Sequence, residues 1–171
     1  MMGVRFLKIV VISDTHMPRM AKKIPSVLEK DLRTSDMIIH AGDWQTLDVY
    51  DMFSQYAPVV GVYGNVDQEK VRRKLKEKEI VQFHHVTIGI THGHGKGKST
   101  EERVLQTFAD DQVDCIIFGH SHNPVMKTVN GILLFNPGSP TDKRRQKQYS
   151  YGVITIEKEW SIKHVYFDSK D

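Results

Sequence analysis

Five short segments of the chain carry aspartate, asparagine and histidine side chains at close spacing. In chain order they are Asp14-Thr15-His16, Gly42-Asp43, Gly64-Asn65, Thr91-His92-Gly93-His94 and Gly119-His120-Ser121-His122. Each segment is weak evidence by itself, because Gly-Asp and Gly-Asn pairs occur in ordinary turns and an aspartate can cap a helix. Together they supply two aspartates, one asparagine and at least four histidines. Clustered imidazole and carboxylate groups are typical of metal sites, so the sequence predicts one here.

A mixed set of imidazole and carboxylate ligands favours ions such as Mn²⁺, Fe, Ni²⁺ or Zn²⁺ over Ca²⁺. Two such ions about 3.5–4 Å apart can hold the attacking and leaving oxygens of an in-line displacement. The carboxylate that bridges them must lie between two sets of terminal ligands, and Asp43 suits this position. A water molecule between the ions loses a proton near neutral pH and becomes the nucleophile. These residues therefore predict a binuclear hydrolase.

Each of the five segments directly follows a predicted strand, where an α/β sheet gathers its functional loops. Apolar runs predict these strands over residues 6–12, 37–40, 58–63, 86–91 and 115–118. Helical patterns are found over residues 24–32, 47–56 and 99–109. The highly charged stretch 69–79 is expected to be a solvated helix or loop.

Short strands dominate the remaining segments. Turns at His84-His85 and Asn130-Gly131 predict two hairpins, and a last pair of strands is expected over 151–156 and 160–167. The first two thirds of the chain thus alternate α and β, whereas the last third is antiparallel. We expect two sheets that pack face to face with helices outside, in one domain that spans residues 1–171.

Composition fits a globular domain, and the small net charge does not by itself identify a binding partner. Hydrophobic residues make up 39% and charged residues 26%, a balance that can fill a core and cover a surface. A formal charge of +3 is too small for non-specific nucleic-acid binding. The one cysteine, Cys115, cannot form an internal disulfide, and the apolar run that ends at Ile12 is too short to span a membrane. We expect a cytoplasmic protein that binds no membrane and meets nucleic acid only as a substrate fragment.

In this order and at these intervals, the five segments resemble the motifs of the calcineurin-like metallophosphoesterase family. The similarity extends from Val10 to Asn136-Pro137-Gly138-Ser139 and is greatest with the small cytoplasmic phosphodiesterase branch, which also includes the retromer scaffold subunit. The resemblance implies a four-layer α/β/β/α sandwich of two mixed sheets. It also implies hydrolysis of a phosphodiester by a hydroxide that bridges two metal ions. Mn²⁺ is the first expectation for both ions, and Ni²⁺, Zn²⁺, Fe and Mg²⁺ are the alternatives.

The resemblance further implies which residues hold each ion. One ion would be bound by Asp14, His16, Asp43 and His122. The other would be bound by Asp43, Asn65, His92 and His120. Side chains two positions apart on an extended segment point the same way, which allows His120 and His122 to reach two neighbouring ions.

One position departs from the family pattern. Most members have a histidine after the Gly-Asn pair that works with the next acid to protonate the leaving group, whereas this chain has Val66. Loss of such a proton donor costs about 10²–10⁴-fold in rate, and least for leaving groups of low pKa. Asn65 and His94 are candidates for substrate binding, and His94 is also a candidate proton donor or a bystander. The role of Asp67 stays open.

Three functions fit these residues: a phosphodiesterase acting on a small phosphate ester, a phosphomonoesterase, and a non-catalytic protein-binding scaffold on the same fold. The complete ligand set disfavours the scaffold, and Val66 disfavours the phosphomonoesterase. The basic run 143–147 is either a solvated loop or a contact for substrate phosphate or nucleic acid. Three aromatic residues of the last hairpin are candidates for an interface with a second copy of the chain: Trp160, Tyr166 and Phe167.

The sequence also predicts the environments of four further side chains. Trp44 and Tyr149 are expected in loops at the rim of the site, where they would be available to a substrate. His40 ends a strand and is expected to be a buried, hydrogen-bonded imidazole. His164 is expected on the surface of the last strand.

Overall fold

The computed structural model describes residues 5–171. This part of the chain contains ten strands and four helices. In order they are β1 (Leu7–Ile12), α1 (Ser26–Leu32), β2 (Met37–His40), α2 (Leu47–Ser54), β3 (Val59–Gly61), α3 (Glu69–Lys74), β4 (Lys78–Phe83), β5 (Val86–Thr91), α4 (Thr100–Thr107), β6 (Cys115–Ile117), β7 (Val125–Val129), β8 (Ile132–Asn136), β9 (Tyr149–Ile156) and β10 (Trp160–Phe167). Of the helices described, none has the length and apolarity needed to cross a membrane.

The strands form two mixed five-stranded sheets. The first has the order β10-β9-β1-β2-β3, in which β1, β2 and β3 are parallel and β9 runs antiparallel to β1. The second has the order β4-β5-β6-β8-β7, in which β5, β6 and β8 are parallel and the two edge strands are antiparallel to their neighbours. The predicted pair of mixed sheets is therefore confirmed.

Three apolar clusters separate four layers. Because successive side chains of a strand point to opposite faces, Val10 of β1 packs under α1 and α2, whereas Ile9 points between the sheets. There Ile9 shares a core with Ile88 of the second sheet. On the far face of that sheet, Ile116 packs with Phe108 at the end of α4. The resulting order of layers is α/β/β/α, as the resemblance implied.

Both predicted two-residue turns are present. The β4–β5 hairpin turns at His84-His85, and the β7–β8 hairpin turns at Asn130-Gly131. Asn130 has φ +52° and Gly131 has φ +80°, which fits a turn that requires the left-handed region at both central positions. Helix α4 begins after Ser99, whose side chain forms a reciprocal capping box with Glu102.

The charged stretch 69–79 divides into two elements. Its first part is the exposed helix α3, as predicted, with only Val71 buried. Its last residues open β4, an edge strand of the second sheet that begins at Lys78. Charged side chains are common on edge strands because they prevent pairing with other chains. High charge density therefore concealed the start of a strand.

Trp44 lies in the core instead of at the rim. Its side chain is fully buried, its indole N–H donates to the carbonyl of Val62 at 2.8 Å, and its ring stacks on His40 at 3.6 Å between centroids. The prediction that Trp44 is available to substrate is wrong, because the loop after β2 folds this side chain inward under α2. The prediction of a buried, hydrogen-bonded His40 is confirmed.

Two residues of the last hairpin are less exposed than predicted. Phe167 is buried against Tyr149 and Tyr151, so it cannot contribute to an interface. His164 is half-buried, because its ring stacks on Phe135 of the other sheet at 4.2 Å between centroids. Tyr166 keeps an exposed side chain.

The five functional segments meet at one edge of the sandwich. Strands β1, β2 and β3 run parallel in one sheet, and β5 and β6 run parallel in the other, so the segments that follow them converge. Backbone hydrogen bonds join the loops directly: Asp14 N donates to Gly42 O at 3.0 Å, and Gly119 N donates to His92 O at 3.0 Å. The fold thus places the predicted site residues together.

Candidate metal centre

One group of ligand atoms surrounds the carboxylate of Asp14. Its Oδ1 lies 3.5 Å from Nε2 of His122, and Nε2 of His122 lies 3.3 Å from Nε2 of His16. Oδ2 of Asp43 completes the group at 3.7 Å from Nε2 of His16. All four residues are buried. They are the four residues predicted to hold the first ion.

A second group surrounds the fully buried ring of His92. Its Nε2 lies 3.1 Å from Oδ2 of Asp43 and 3.1 Å from Oδ1 of Asn65. The same oxygen of Asn65 lies 3.3 Å from Nδ1 of His120. These are the four residues predicted for the second ion. The fold therefore brings all seven predicted ligands into one cluster.

Both aspartates lie between the two groups. Oδ2 of Asp43 reaches His16 on one side and His92 on the other, as expected for a bridging carboxylate. Oδ1 of Asp14 also lies 3.8 Å from Nε2 of His92 and 4.0 Å from Nε2 of His16. The central position of Asp14 was not expected from the sequence, which favoured Asp43 alone.

The residues fit a divalent cation. Among residues 5–171, the buried Oδ1 of Asp14 has no hydrogen-bond partner, although it faces three imidazole nitrogens. A buried carboxylate oxygen without a partner is costly, since it has lost its hydration without replacement. A metal ion coordinated by this oxygen and the surrounding imidazole nitrogens would replace that hydration.

Hydrogen bonds hold the ring nitrogens of His92 and His122 that face away from the centre. Nδ1 of His92 donates to the carbonyl of Ala41 at 2.8 Å, and Nδ1 of His122 donates to the carbonyl of Asp142 at 2.6 Å. With the proton on Nδ1, each ring directs Nε2 toward the centre. Such outer contacts orient a metal-binding histidine and fix its tautomer.

The carboxylates are oriented in the same way. Oδ2 of Asp14 accepts from the hydroxyl of Ser13 at 2.9 Å and from the amide of His120 at 3.1 Å, which leaves only Oδ1 free. Oδ1 of Asp43 accepts from the amide of Val66 at 3.0 Å, which leaves Oδ2 directed at the imidazoles. Each aspartate therefore presents one oxygen to the centre.

Without a metal, a proton on His92 compensates the negative charges. Burial raises the pKa of Asp14 to about 7. Burial also opposes charge on His92, but its hydrogen bond to Asp43 and the charges of both aspartates raise its pKa to about 9. The same contact outweighs burial at Asp43 and lowers its pKa to about 2. A cation bound here would take the place of the His92 proton.

The lowered pKa values of His120 and His122 suit both rings to bind a metal ion in their neutral form. Burial lowers the pKa of each to about 4, so both rings are unprotonated near neutral pH. Neutral imidazole is the form of histidine that binds metal.

The backbone of the centre is strained. Five predicted ligands have a positive φ, which is uncommon for residues other than glycine and clusters at functional sites. They are Asp14 (57°), His16 (45°), Asp43 (60°), His120 (72°) and His122 (62°). Two glycines permit close packing of these loops, since a Cβ on Gly64 would collide with the carboxylate of Asp43 and a Cβ on Gly119 with Ser13.

Asp67, whose role the sequence left open, holds the ligand loops in place. Its carboxylate accepts hydrogen bonds from the backbone amides of Asp43, Gln45 and Gly64 at 2.7–3.0 Å. Arg72 secures the same turn by donating to the carbonyl of Asp67 at 3.0 Å. Asp67 is thus a positioning residue in this structure, and the spacing Gly-Asn-x-Asp was its only signal in the sequence.

His94 lies beside the second group. Its ring centroid is 5.6 Å from that of His92, its Nε2 is 3.5 Å from Oε1 of Glu77, and its Nδ1 is buried without a hydrogen-bond partner. It lines a cavity of about 320 Å³ together with Arg103. His94 is therefore close to the centre without belonging to either ligand group.

A second cavity of about 380 Å³ opens on the other side of the centre, next to His16. Val66, a residue that is 46% exposed, forms part of its wall with Met20. Arg19 and Arg144 also line it. Sequence reasoning missed Arg19, and it included Arg144 only as one residue of the basic run 143–147. Only the folded chain shows that Arg144 reaches the centre.

Comparisons with known proteins identify the family of this chain. The model of the calcineurin-like phosphoesterase superfamily domain matches residues 7–159, which confirms the family predicted from the motifs. A probable metallophosphoesterase of Methanocaldococcus jannaschii is 37% identical over 137 residues, covering 78% of this chain and 68% of that protein. A phosphodiesterase of the same organism is 31% identical over 146 residues, covering 77% and 83%. Vps29 of Entamoeba histolytica, solved in complex with Zn²⁺, has a TM-score of 0.73 and 27% identity, covering 95% of this chain and 99% of that one.

Proposed function

The chain belongs to the calcineurin-like phosphoesterase superfamily, and we propose that it is a phosphodiesterase that uses two divalent metal ions. Relatives named as metallophosphoesterases and as a phosphodiesterase support a phosphoesterase activity. The observation that carries the proposal is the buried Oδ1 of Asp14, which has no hydrogen-bond partner in the described part of the chain and lies 3.5–4.0 Å from three imidazole nitrogens.

In this proposal each ion has four protein ligands. The first ion is held by Asp14, His16, Asp43 and His122, and the second by Asp43, Asn65, His92 and His120. Asp43 is the shared ligand, because its Oδ2 is the carboxylate oxygen nearest to both His16 and His92. Such a pair of ions would supply activation of a water molecule as nucleophile and stabilisation of the charge that develops on the phosphoryl oxygens. Mn²⁺ is our first expectation, since it suits mixed imidazole and oxygen ligands.

The protein's own groups bind and orient the ester. The buried Nδ1 of His94 has no hydrogen-bond partner among the residues that the structure describes, so it is available to a phosphoryl oxygen of a bound substrate. Burial lowers the pKa of His94, which keeps its ring mostly neutral near pH 7. We therefore place His94 as a hydrogen-bonding substrate contact rather than as an acid. Asn65 is the second contact, because its side chain lies at the open side of the ligand cluster.

A diester is the preferred substrate because of Val66. Its side chain is exposed on the cavity wall beside His16 and offers no proton to a leaving group. Esters whose leaving group departs without protonation are affected least. The substrate is a small phosphate ester, and nucleic acid is a substrate only in the form of a short fragment. The protein works in a reducing compartment such as the cytoplasm, where Cys115 stays a thiol.

Metal analysis of ligand variants tests the proposal. After saturation with Mn²⁺ and desalting, the wild-type protein should retain about two ions per chain, Asp14→Ala about one and Asp43→Ala close to none. His85→Ala is the matched control, since His85 lies in the exposed β4–β5 turn and should not alter metal content. Turnover of bis(para-nitrophenyl) phosphate should fall more in Asp43→Ala than in Asp14→Ala.

Two results would contradict the proposal. Metal content near zero in the wild-type protein would favour the protein-binding scaffold. Retention of more than about a tenth of wild-type turnover by Asp43→Ala would exclude a mechanism that depends on two ions sharing this residue. Circular dichroism of each variant shows whether the fold is kept.

A further inference from the structure

The cavity beside His16 is lined by two guanidinium groups that have no ion-pair partner within residues 5–171. In residues 5–171, neither the guanidinium of Arg19 nor that of Arg144 forms an ion pair or a hydrogen bond. An arginine side chain presents five N–H donors in a geometry that matches phosphate. Two unpaired guanidinium groups beside a centre that binds phosphate esters indicate a further anionic group in the substrate.

Apart from His16, which is a proposed metal ligand, the other residues of this cavity offer no acid to a leaving group. Val66 and Met20 are apolar, and the side-chain carbonyl of Gln45 accepts from the backbone amide of Arg19 at 3.1 Å. The carboxylate of Asp142 lies 3.8 Å from Nδ1 of His122, on the outer side of a ligand. An ester arm that departs through this cavity therefore leaves as an anion, and it meets positive charge as it does so.

We propose that this cavity binds a second phosphoryl group and that the preferred substrates are diesters of diphosphate, in which two phosphorus atoms share one bridging oxygen. One phosphoryl group lies at the metal centre, and the other lies between Arg19 and Arg144. This inference rests on the proposed function of the metal centre and names its substrate class.

The chemistry of a diphosphate accounts for both features of the cavity. Water attacks the phosphorus at the centre, a new P–O bond forms, and the bond from that phosphorus to the bridging oxygen breaks. The bridging oxygen leaves with the bonding electron pair as part of the second phosphate, and the proton of the attacking water passes to solvent. Phosphate is a weak base as a leaving group, so it needs no acid at Val66, and its charge is matched by the two arginines.

The test compares a dinucleoside diphosphate with the matching dinucleoside monophosphate, which has one phosphorus and no second charge. The wild-type protein should show a higher kcat/KM for the diphosphate. Arg144→Gln should lower the ratio of the two kcat/KM values about tenfold or more, because a charge-assisted, bidentate contact is lost. Arg145→Gln is the matched control, since this neighbouring arginine faces a separate cavity beside Tyr166 and its removal should keep the ratio.

Binding gives a second readout that does not depend on turnover. Titration calorimetry with the methylene-bridged analogue of the diphosphate should show weaker binding to Arg144→Gln than to the wild-type protein and to Arg145→Gln. An equal ratio and equal binding in both variants would overturn the inference. Hydrolysis of the monophosphate diester without hydrolysis of the diphosphate would also overturn it while leaving the proposed function intact. Hydrolysis of neither compound would overturn the inference as well, and turnover of bis(para-nitrophenyl) phosphate then decides separately whether the proposed function holds.

Discussion

The carboxylate of Asp67 accepts a hydrogen bond from the backbone amide of Asp43, with 3.0 Å between Oδ2 and the nitrogen. The same oxygen accepts from Gly64 at 2.7 Å, and the other oxygen accepts from Gln45 at 2.7 Å. One buried side chain thus joins the loop after β2 to the loop after β3. The position of Asp43, the proposed shared ligand, therefore depends on a residue that does not itself face the candidate metal centre.

Asp67→Asn should weaken both the fold and metal binding. An amide offers one acceptor oxygen instead of two and places its NH₂ group against a backbone donor. We expect the free energy of unfolding to fall by about 1–3 kcal/mol and the affinity for Mn²⁺ to fall about 10–100-fold. Urea denaturation and metal titration measure the two effects, with the exposed Asp110→Asn as control. Unchanged metal affinity in Asp67→Asn would show that the ligand loops hold their positions without this residue.

His40 connects two ligand loops and should give stability a pH dependence. Its Nδ1 accepts from the amide of Gly42 at 3.1 Å, and its Nε2 lies 3.0 Å from the hydroxyl of Thr15. Complete burial lowers the pKa of His40 well below its usual value of 6.5. The unfolded chain therefore takes up a proton that the folded protein excludes, so this contribution to stability is present above pH 6.5 and is lost as the pH falls.

His40→Phe tests this sign on metal-free protein. Phenylalanine keeps a ring against Trp44 but takes up no proton. Below pH 6.5, the free energy of unfolding of the variant should decline less steeply than that of the wild type, by up to about 1.4 kcal/mol per pH unit. At pH 8 the variant should be less stable by about 1–3 kcal/mol, because the amide of Gly42 loses its acceptor. Identical slopes of unfolding free energy against pH for both proteins between pH 7 and pH 5 would refute the role given to His40. His85→Phe is the control for the loss of an exposed histidine.

Val66→His should increase activity toward esters with poor leaving groups. The position is exposed on a cavity next to His16, so an imidazole can be accommodated and can donate a proton there. We expect the ratio of kcat/KM for a phosphomonoester to kcat/KM for an activated diester to rise about tenfold, within the range of general acid catalysis. Steady-state kinetics at equal metal content measure the ratio. A constant ratio would mean that protonation of the leaving group does not limit the rate.

Cys115 should be inert in the native protein. It is fully buried in β6 between the two sheets, and burial raises the pKa of its thiol to about 12. The thiolate is the reactive form, so a thiol reagent should modify Cys115 only when the chain unfolds. Absorbance after addition of such a reagent, with and without urea, measures this. Rapid modification without denaturant would mean that the space between the sheets opens readily.

The sequence by itself determined the ligand types, the strands that precede them and the family. This was possible because the signals are local. Short runs rich in apolar residues define β1, β5 and β6, a two-residue Asn130-Gly131 turn defines a hairpin, and each candidate ligand segment starts within a few residues of a strand end. The start of the edge strand β4 could not be recognised in the sequence, because its charged side chains contact solvent instead of a core.

Only the tertiary structure decided which residues support the site. Asp14 and His122 are separated by more than one hundred positions along the chain, and their 3.5 Å contact depends on two sheets packing against each other. The same holds for Arg144, which lies in a basic run whose composition does not distinguish it from Arg145, although the two residues line different cavities. Trp44 follows a ligand directly and is nevertheless buried. Burial and long-range contacts are properties of packing between distant segments, and no local pattern of residues encodes them.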